Sequence, residues 1–214
     1  GSTRLAERFT FDYDLPNEDA YAETCAAIAL VFFARNMLEC EPDSRYADVM
    51  ERALYNGVIS GVSLDGRHFF YDNLLASHPE YHKFSGQKSP RRQEWFGCAC
   101  CPPNIARILA SIGSYFYTSN DEAIWAHCYA GCDATFTVTG SEVRLSQKTN
   151  YPWDGDIAIS VHPAQPGAFA LALRIPDWCR QATLKVNGKS LDIAAINERG
   201  YAVIRRQWQD GDKI

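Results

Sequence analysis

Residues 95–101 read WFGCACC, and PPNIARIL follows at once. Three thiols within four positions can serve as disulfide partners, as metal ligands or as a nucleophile. Adjacent cysteines such as Cys100 and Cys101 rarely bridge each other, because Cβ geometry opposes it. The chain has 8 cysteines in 214 residues, too few for a disulfide scaffold. Reduced thiols serving a metal or chemistry are therefore expected, and with them a cytoplasmic setting. A second set stands in AYAETCAAIAL, where Glu23 and Cys25 open another helix pattern. A carboxylate and a thiolate near a helix N-terminus gain from the macrodipole, and the same field lowers a thiol pKa. If the two helix starts face each other, Glu23, Cys25, Cys100 and Cys101 offer three sulfurs and one oxygen, a tetrahedral set that suits zinc. Spacing alone leaves the choice open. Cys98 and Cys101 have the C-x-x-C spacing of a zinc knuckle and weigh as much as the Cys100/Cys101 pair. The plain alternative is that the cysteines pack as small hydrophobes.

Glu7 opens the run AERFTFDYDLPNEDAYAETC. A carboxyl held among Phe9, Phe11 and Tyr13 would have a raised pKa and suit a general acid. A solvated surface carboxylate is the other reading, and Asp12, Asp14, Glu18 and Asp19 compete for the role. His68, His78 and His82 could line a sugar pocket, but solvated loop residues are the expected reading. Trp95, Trp125, Trp153 and Trp178 could stack on sugar faces, but core or interdomain packing is the expected role. Cys128 and Cys132 have metal-like spacing but precede strands and are read as packing. No partner is implied for Arg91 and Arg92.

The elements that must position these residues fall into two halves. From about 20 to 118 the period is helical. Residues 21–39 form a nearly all-apolar helix, expected to be buried on most sides. Asp43 or Ser44 can cap a second helix, with Tyr46, Val49, Met50, Ala53, Leu54, Gly57 and Val58 on one face. Ile105, Ile108, Leu109, Ile112 and Phe116 mark a third, with Pro102 or Pro103 at its first position. The long connection 60–94 is expected to be functional or to carry short elements of its own. Beyond Ser119 the period becomes two. Strands are expected at 134–138, 142–146, 156–162, 169–175, 184–186 and 201–205, with a hairpin turn at Asn187-Gly188. Regular turns suggest a β-sandwich. The expected domains are 1–118 and 119–214.

Apolar residues make up 46% of the chain and charged residues 22%, which supplies ample core material for a globular protein. A net charge of −5 excludes a general nucleic-acid binder. No apolar run reaches the roughly 18–20 residues of a membrane span. The opening GSTRLAERFT reads as a cut point and the closing DGDKI as a strand just beginning. The chain therefore reads as an excerpt of a longer protein.

AERFTFDYDLPNEDAYAETCA, FFYDNLL and CACCPPNIAR, followed by LALRIPDWC and LKVNG, resemble glycoside hydrolase family 127. Ala6 stands where the family pattern has Gly, and Leu74 where it has Pro. The resemblance covers nearly the whole chain but only a central part of such an enzyme. It implies an α+β multidomain fold: the C-terminal part of an (α/α)6 barrel, then an antiparallel β-sandwich, incomplete at its C-terminal end. It implies a retaining exo-glycosidase that releases terminal β-L-arabinofuranose from plant-type glycans. Cys100 would be the nucleophile, Glu7 the acid/base and Tyr71 a sugar contact. Zinc would be held by Glu23, Cys25, Cys100 and Cys101, leaving Cys98 structural. The expected partner is a glycan, with no nucleic acid or membrane, and a homodimer of the complete enzyme is the expected assembly. The competing expectation is a zinc-stabilised carbohydrate-binding or scaffold module without turnover, or a relative that cleaves another glycoside. Sugar-gripping residues of helices outside this chain are not in the sequence, so the excerpt by itself is expected to be inactive.

Overall fold

The computed structural model describes residues 9–18, 20–76, 78 and 89–214. The fold is mixed α and β, and it divides into two compact units, one of residues 1–34 and 49–111, the other of residues 35–48 and 112–214.

Helix α1 spans Thr24–Cys40 and α2 spans Ser44–Ala53. Asp43 caps α2, its Oδ1 accepting the Arg45 N–H at 3.0 Å, as the short acidic side chain allows. Past Ala53 the helix widens into a π turn, Leu54–Val58, and tightens into a 3-10 turn, Ile59–Gly61. Helix α3 spans Cys101–Ser111, and a 3-10 turn Ile112–Tyr115 follows. A Cβ on Gly57 would sit 2.6 Å from the Cβ of Ala27. Only a glycine there lets the π turn come this close to α1.

Two expectations about these helices fail. Helix α1 is covered along one stripe, Ile28, Val31, Ala34 and Leu38, whereas Leu30 is 42% and Phe33 60% exposed. Apolar residues all round a helix mark surfaces that can pack, but they do not say what lies against each face. The buried face of α2 runs through Ala47, Met50, Leu54 and Val58. Val49 lies off that face, because two residues of helix carry it about 200° round the axis from Ala47, and it is 39% exposed.

In the second unit, β1 (Tyr117–Ser119), β2 (Ala123–Ala126), β6 (Gly167–Arg174), β10 (Tyr201–Trp208) and β9 (Asn197–Glu198) form one sheet in that order. A four-stranded sheet runs β11 (Asp212–Lys213), β5 (Ile157–Pro163), β4 (Ser141–Thr149), β3 (Cys132–Val138). Strands β7 (Leu184–Val186) and β8 (Lys189–Leu191) pair as a hairpin. Its turn residues Asn187 and Gly188 have φ of 50° and 80°, the left-handed pair that a two-residue hairpin needs. One apolar cluster takes Val143, Leu145, Ile159 and Val161 from the second sheet and Ile124, Phe169, Leu171, Ile204 and Trp208 from the first. The alternation that predicts the strands is the alternation that fills this core.

The sheets are not wholly antiparallel as expected. Strand β2 pairs with β6 in parallel. The chain leaves β2, builds β3, β4 and β5 in the other sheet, and returns in the direction in which it left. Strands β1 and β2 were also missed, since Tyr117 continues the apolar pattern that α3 begins.

Candidate metal and catalytic site

The site lies within the first unit and is built from two helix starts and one extended segment. The Glu23 carbonyl accepts the N–H of Ala27 at 3.1 Å, so Glu23 caps α1 and Cys25 sits in its first turn. The Cys100 carbonyl accepts the N–H of Asn104 at 3.3 Å, so Cys100 caps α3 and Cys101 begins it. Pro102 and Pro103 then take the second and third helical positions, one step later than expected. The first N–H groups of a helix have no acceptor inside it, so two residues lacking them cost nothing there.

The segment 69–73 holds the site together. Thr24 donates its N–H to the Tyr71 carbonyl at 2.9 Å, and Asn73 donates to the Ala22 carbonyl at 2.9 Å. Ala22 in turn donates to Asp72 Oδ1 at 2.7 Å. The Asn73 amide reaches the Thr24 hydroxyl at 3.0 Å and the Gly57 carbonyl at 3.2 Å. On its other side, Phe69 exchanges backbone hydrogen bonds with Gln93 at 3.0 Å each way. Phe96 packs on Phe69 and Tyr71 with ring centroids 5.1 and 5.9 Å apart. That contact anchors the chain just before the cysteine run. The connection 60–94 thus carries short pairing of its own, and it delivers Tyr71 between the two helix starts.

One ligand atom each from Glu23, Cys25, Cys100 and Cys101 lies within 4.8 Å of all the others. Cys25 Sγ is 3.6 Å from Cys101 Sγ, and Cys100 Sγ is 3.4 Å from Glu23 Oε1 and 3.8 Å from Cys101 Sγ. Cys101 is fully buried and Glu23 nearly so. The Tyr21 hydroxyl donates to Glu23 Oε2 at 3.0 Å and lies 3.4 Å from the Tyr71 hydroxyl. Burial, followed by the Cys25 thiol, pushes the Cys100 thiol up to about 12, and a hydrogen bond with the Tyr71 hydroxyl pulls the other way. Burial also pushes Cys101 and Tyr71 up. A positive charge beside these thiols would favour their ionised form. Three sulfurs and a carboxylate oxygen within one ion's reach fit a metal ion as that charge.

Cys98 is exposed and stands outside the four, so of the two pairings that spacing leaves open the geometry favours Cys100 with Cys101. Tyr71 is 3% exposed. Glu7 and His82 lie outside the described residues. His68 is 3.6 Å from Asp65 and 3.7 Å from Glu94, and His78 is 3.8 Å from Glu18. Trp125 packs beside Ala172, Tyr201 and Val203, and Trp178 stacks on Tyr151 with ring centroids 6.3 Å apart, as packing residues do, whereas Trp95 and Trp153 are 62% and 86% exposed and lie outside the core. Cys128 is buried, and Cys132 Sγ meets the Tyr117 hydroxyl at 3.7 Å, as packing residues do. Sequence reasoning missed Tyr21 and Asn104, whose side chains touch Glu23 and Cys25. The only available signal was their place one or two turns of chain from the ligands.

Residues 1–114 match the family described as "Beta-L-arabinofuranosidase, GH127 catalytic domain", and residues 123–214 match its middle domain. The chain belongs to glycoside hydrolase family 127. It is 43% identical over 202 residues to the non-reducing end beta-L-arabinofuranosidase of Bifidobacterium longum subsp. longum, an alignment covering 88% of this chain and 30% of that protein. The crystal structure of a family 127 beta-L-arabinofuranosidase from Geobacillus stearothermophilus T6 superposes with a TM-score of 0.95 at 53% identity, over 100% of this chain and 34% of that one. A second family 127 beta-arabinofuranosidase gives a TM-score of 0.86 at 37% identity, again over 100% of this chain and 34% of that one. The chain therefore spans about a third of the length of the family 127 relatives it matches. No helix of the described residues is long and apolar enough to cross a membrane.

Proposed function

We propose that this chain is the central part of a retaining β-L-arabinofuranosidase, with a zinc-held cysteine nucleophile and a glutamate acid/base. The observation that carries the reading is the cluster of Glu23, Cys25, Cys100 and Cys101 within 4.8 Å. Residues 1–118 would belong to an (α/α)6 barrel, and the open apolar stripe of α1, with Leu30 and Phe33, supports further helices against it. Residues 119–214 would be a β-sandwich, a reading supported by the core its two sheets share.

Zinc on these four residues would keep the sulfurs ionised at neutral pH. In the first step the Cys100 sulfur attacks the anomeric carbon, the bond from that carbon to the leaving oxygen breaks, and the Glu7 carboxyl protonates that oxygen. A thioglycosyl enzyme results. Glu7, now a carboxylate, takes a proton from water as the water oxygen attacks the same carbon. The carbon–sulfur bond breaks, and its electron pair returns to Cys100. Two inversions retain the configuration, with cysteine in place of the usual carboxylate nucleophile. Tyr71, beside Cys100, would contact the sugar and orient it.

The second reading, a non-catalytic carbohydrate-binding or scaffold module, draws on the closed donor set, since four protein ligands are the mark of structural zinc. The complete enzyme decides between them. A terminal β-L-arabinofuranoside should be hydrolysed with retention, and Glu7→Gln should lower kcat by about 10²- to 10⁴-fold, the range for a general acid. Absence of turnover across pentofuranosides would leave the module reading standing.

A further inference from the structure

Asn104 ties the two helix starts to each other. Its backbone N–H donates to the Cys100 carbonyl at 3.3 Å, and its side-chain Nδ2 donates to Cys25 Sγ at 3.1 Å. Among the described residues, Cys25 is the one cysteine of the four whose sulfur accepts an N–H. The Cys100 sulfur meets Glu23 Oε1, the thiols of Cys25, Cys98 and Cys101, and the Tyr71 hydroxyl instead. The two thiols, equal in the sequence, are therefore unequal in their surroundings. An N–H donor aimed at a thiolate draws off its charge. The sulfur that receives it becomes a better-fixed ligand and a poorer nucleophile. Cys100 has no such amide, and the hydroxyl it meets belongs to Tyr71, which the proposed function gives to the sugar.

We propose that Asn104 is a positioning residue that locks Cys25 as the spectator ligand and so leaves the site's reactivity with Cys100. This rests on the zinc-thiolate reading above. Outer groups that orient metal ligands typically matter 10- to 100-fold in metal affinity, and Asn104 is placed as such a group. Tyr21 does for Glu23 what Asn104 does for Cys25: it occupies Oε2 and leaves Oε1 facing Cys100.

The test reads the metal and not turnover. Zinc affinity of the purified chain is measured by competition with a chromophoric chelator, and cobalt is then loaded in place of zinc to read the sulfur-to-cobalt charge-transfer band. Asn104→Ala removes the donor. Asn104→Asp keeps the shape and exchanges the amide donor for a carboxylate oxygen, so it carries the test if the alanine variant does not fold. Both should bind zinc about 10- to 100-fold more weakly, with the larger loss in Asn104→Asp. In both the band should move to lower energy, because an unshielded thiolate gives up an electron more easily. Unchanged affinity with an unmoved band overturns the proposal. Weaker binding with an unmoved band overturns it too, since it assigns Asn104 to helix packing alone. If the parent chain shows no sulfur-to-cobalt band, the zinc reading falls and takes this inference with it. If the parent shows the band and the variants match it, this inference alone falls.

Discussion

Glu23, Cys25, Cys100 and Cys101 form a polar cluster of one kind, in which every member is an acid. His127, Tyr201, Arg174 and Asp48 in the second unit are buried, and there each residue meets a complementary partner. The Arg174 guanidinium lies 2.6 Å from Asp48 Oδ1. His127 Nδ1 lies 2.7 Å from the Tyr201 hydroxyl, and its Nε2 lies 2.8 Å from that of Thr118. The same helical stretch is tied on by Ser44, which donates its N–H to the Arg199 carbonyl at 2.9 Å, and by the Arg199–Glu41 ion pair. A buried cluster of matched partners satisfies itself and serves the fold. A half-buried cluster of four acids carries no counter-charge of its own, so its donor atoms are free to meet a positive charge brought from outside.

Removing one member should expose that difference. The largest effect is expected at the acid cluster. Cys25→Ser or Cys101→Ser should abolish stoichiometric zinc, read by elemental analysis of the purified chain, while leaving the second unit's tryptophan fluorescence unchanged. Zinc retained in both variants would break the comparison. In the matched network, Asp48→Ala takes the carboxylate away from a buried guanidinium and should destabilise by about 3–5 kcal/mol. Urea unfolding measures this, and zinc content should not change.

A smaller effect follows from pH. Burial holds His127 down to about 3, so the folded chain keeps it neutral while the unfolded chain takes up a proton below the ordinary histidine value. Its contribution is complete above that value and is lost as pH falls. From about pH 7.5 to about pH 5 this amounts to a loss of about 2 kcal/mol. The difference in urea midpoints between the parent chain and His127→Gln across that interval should reveal it, and equal slopes would refute it. The smallest effect is expected at Cys98, which is exposed and outside the four. Cys98→Ser should keep its zinc and change stability by less than about 0.5 kcal/mol. Loss of zinc there would revive the knuckle pairing.

The sequence by itself determined much of this protein. Period-two runs located most of the strands, since alternate side chains of a strand must face the core. Asn187-Gly188 specified its hairpin, because few residue pairs accept two positive φ angles. The proline pair and the helix patterns placed Glu23, Cys25, Cys100 and Cys101 at helix starts, where backbone donors and dipole favour acids. What the tertiary structure decided were the relations between distant segments. Spacing could not choose between Cys98 and Cys100, and the fold turned one sulfur inward and left the other exposed. Nor could it show that 69–73 would bridge the two helix starts, or that Asn104 would reach Cys25. Strand β2 lies beside β6 for the same kind of reason. Local pattern records which face of an element must be covered. Which segment covers it, and which atoms then meet, depends on contacts between residues tens of positions apart, and no local periodicity encodes those.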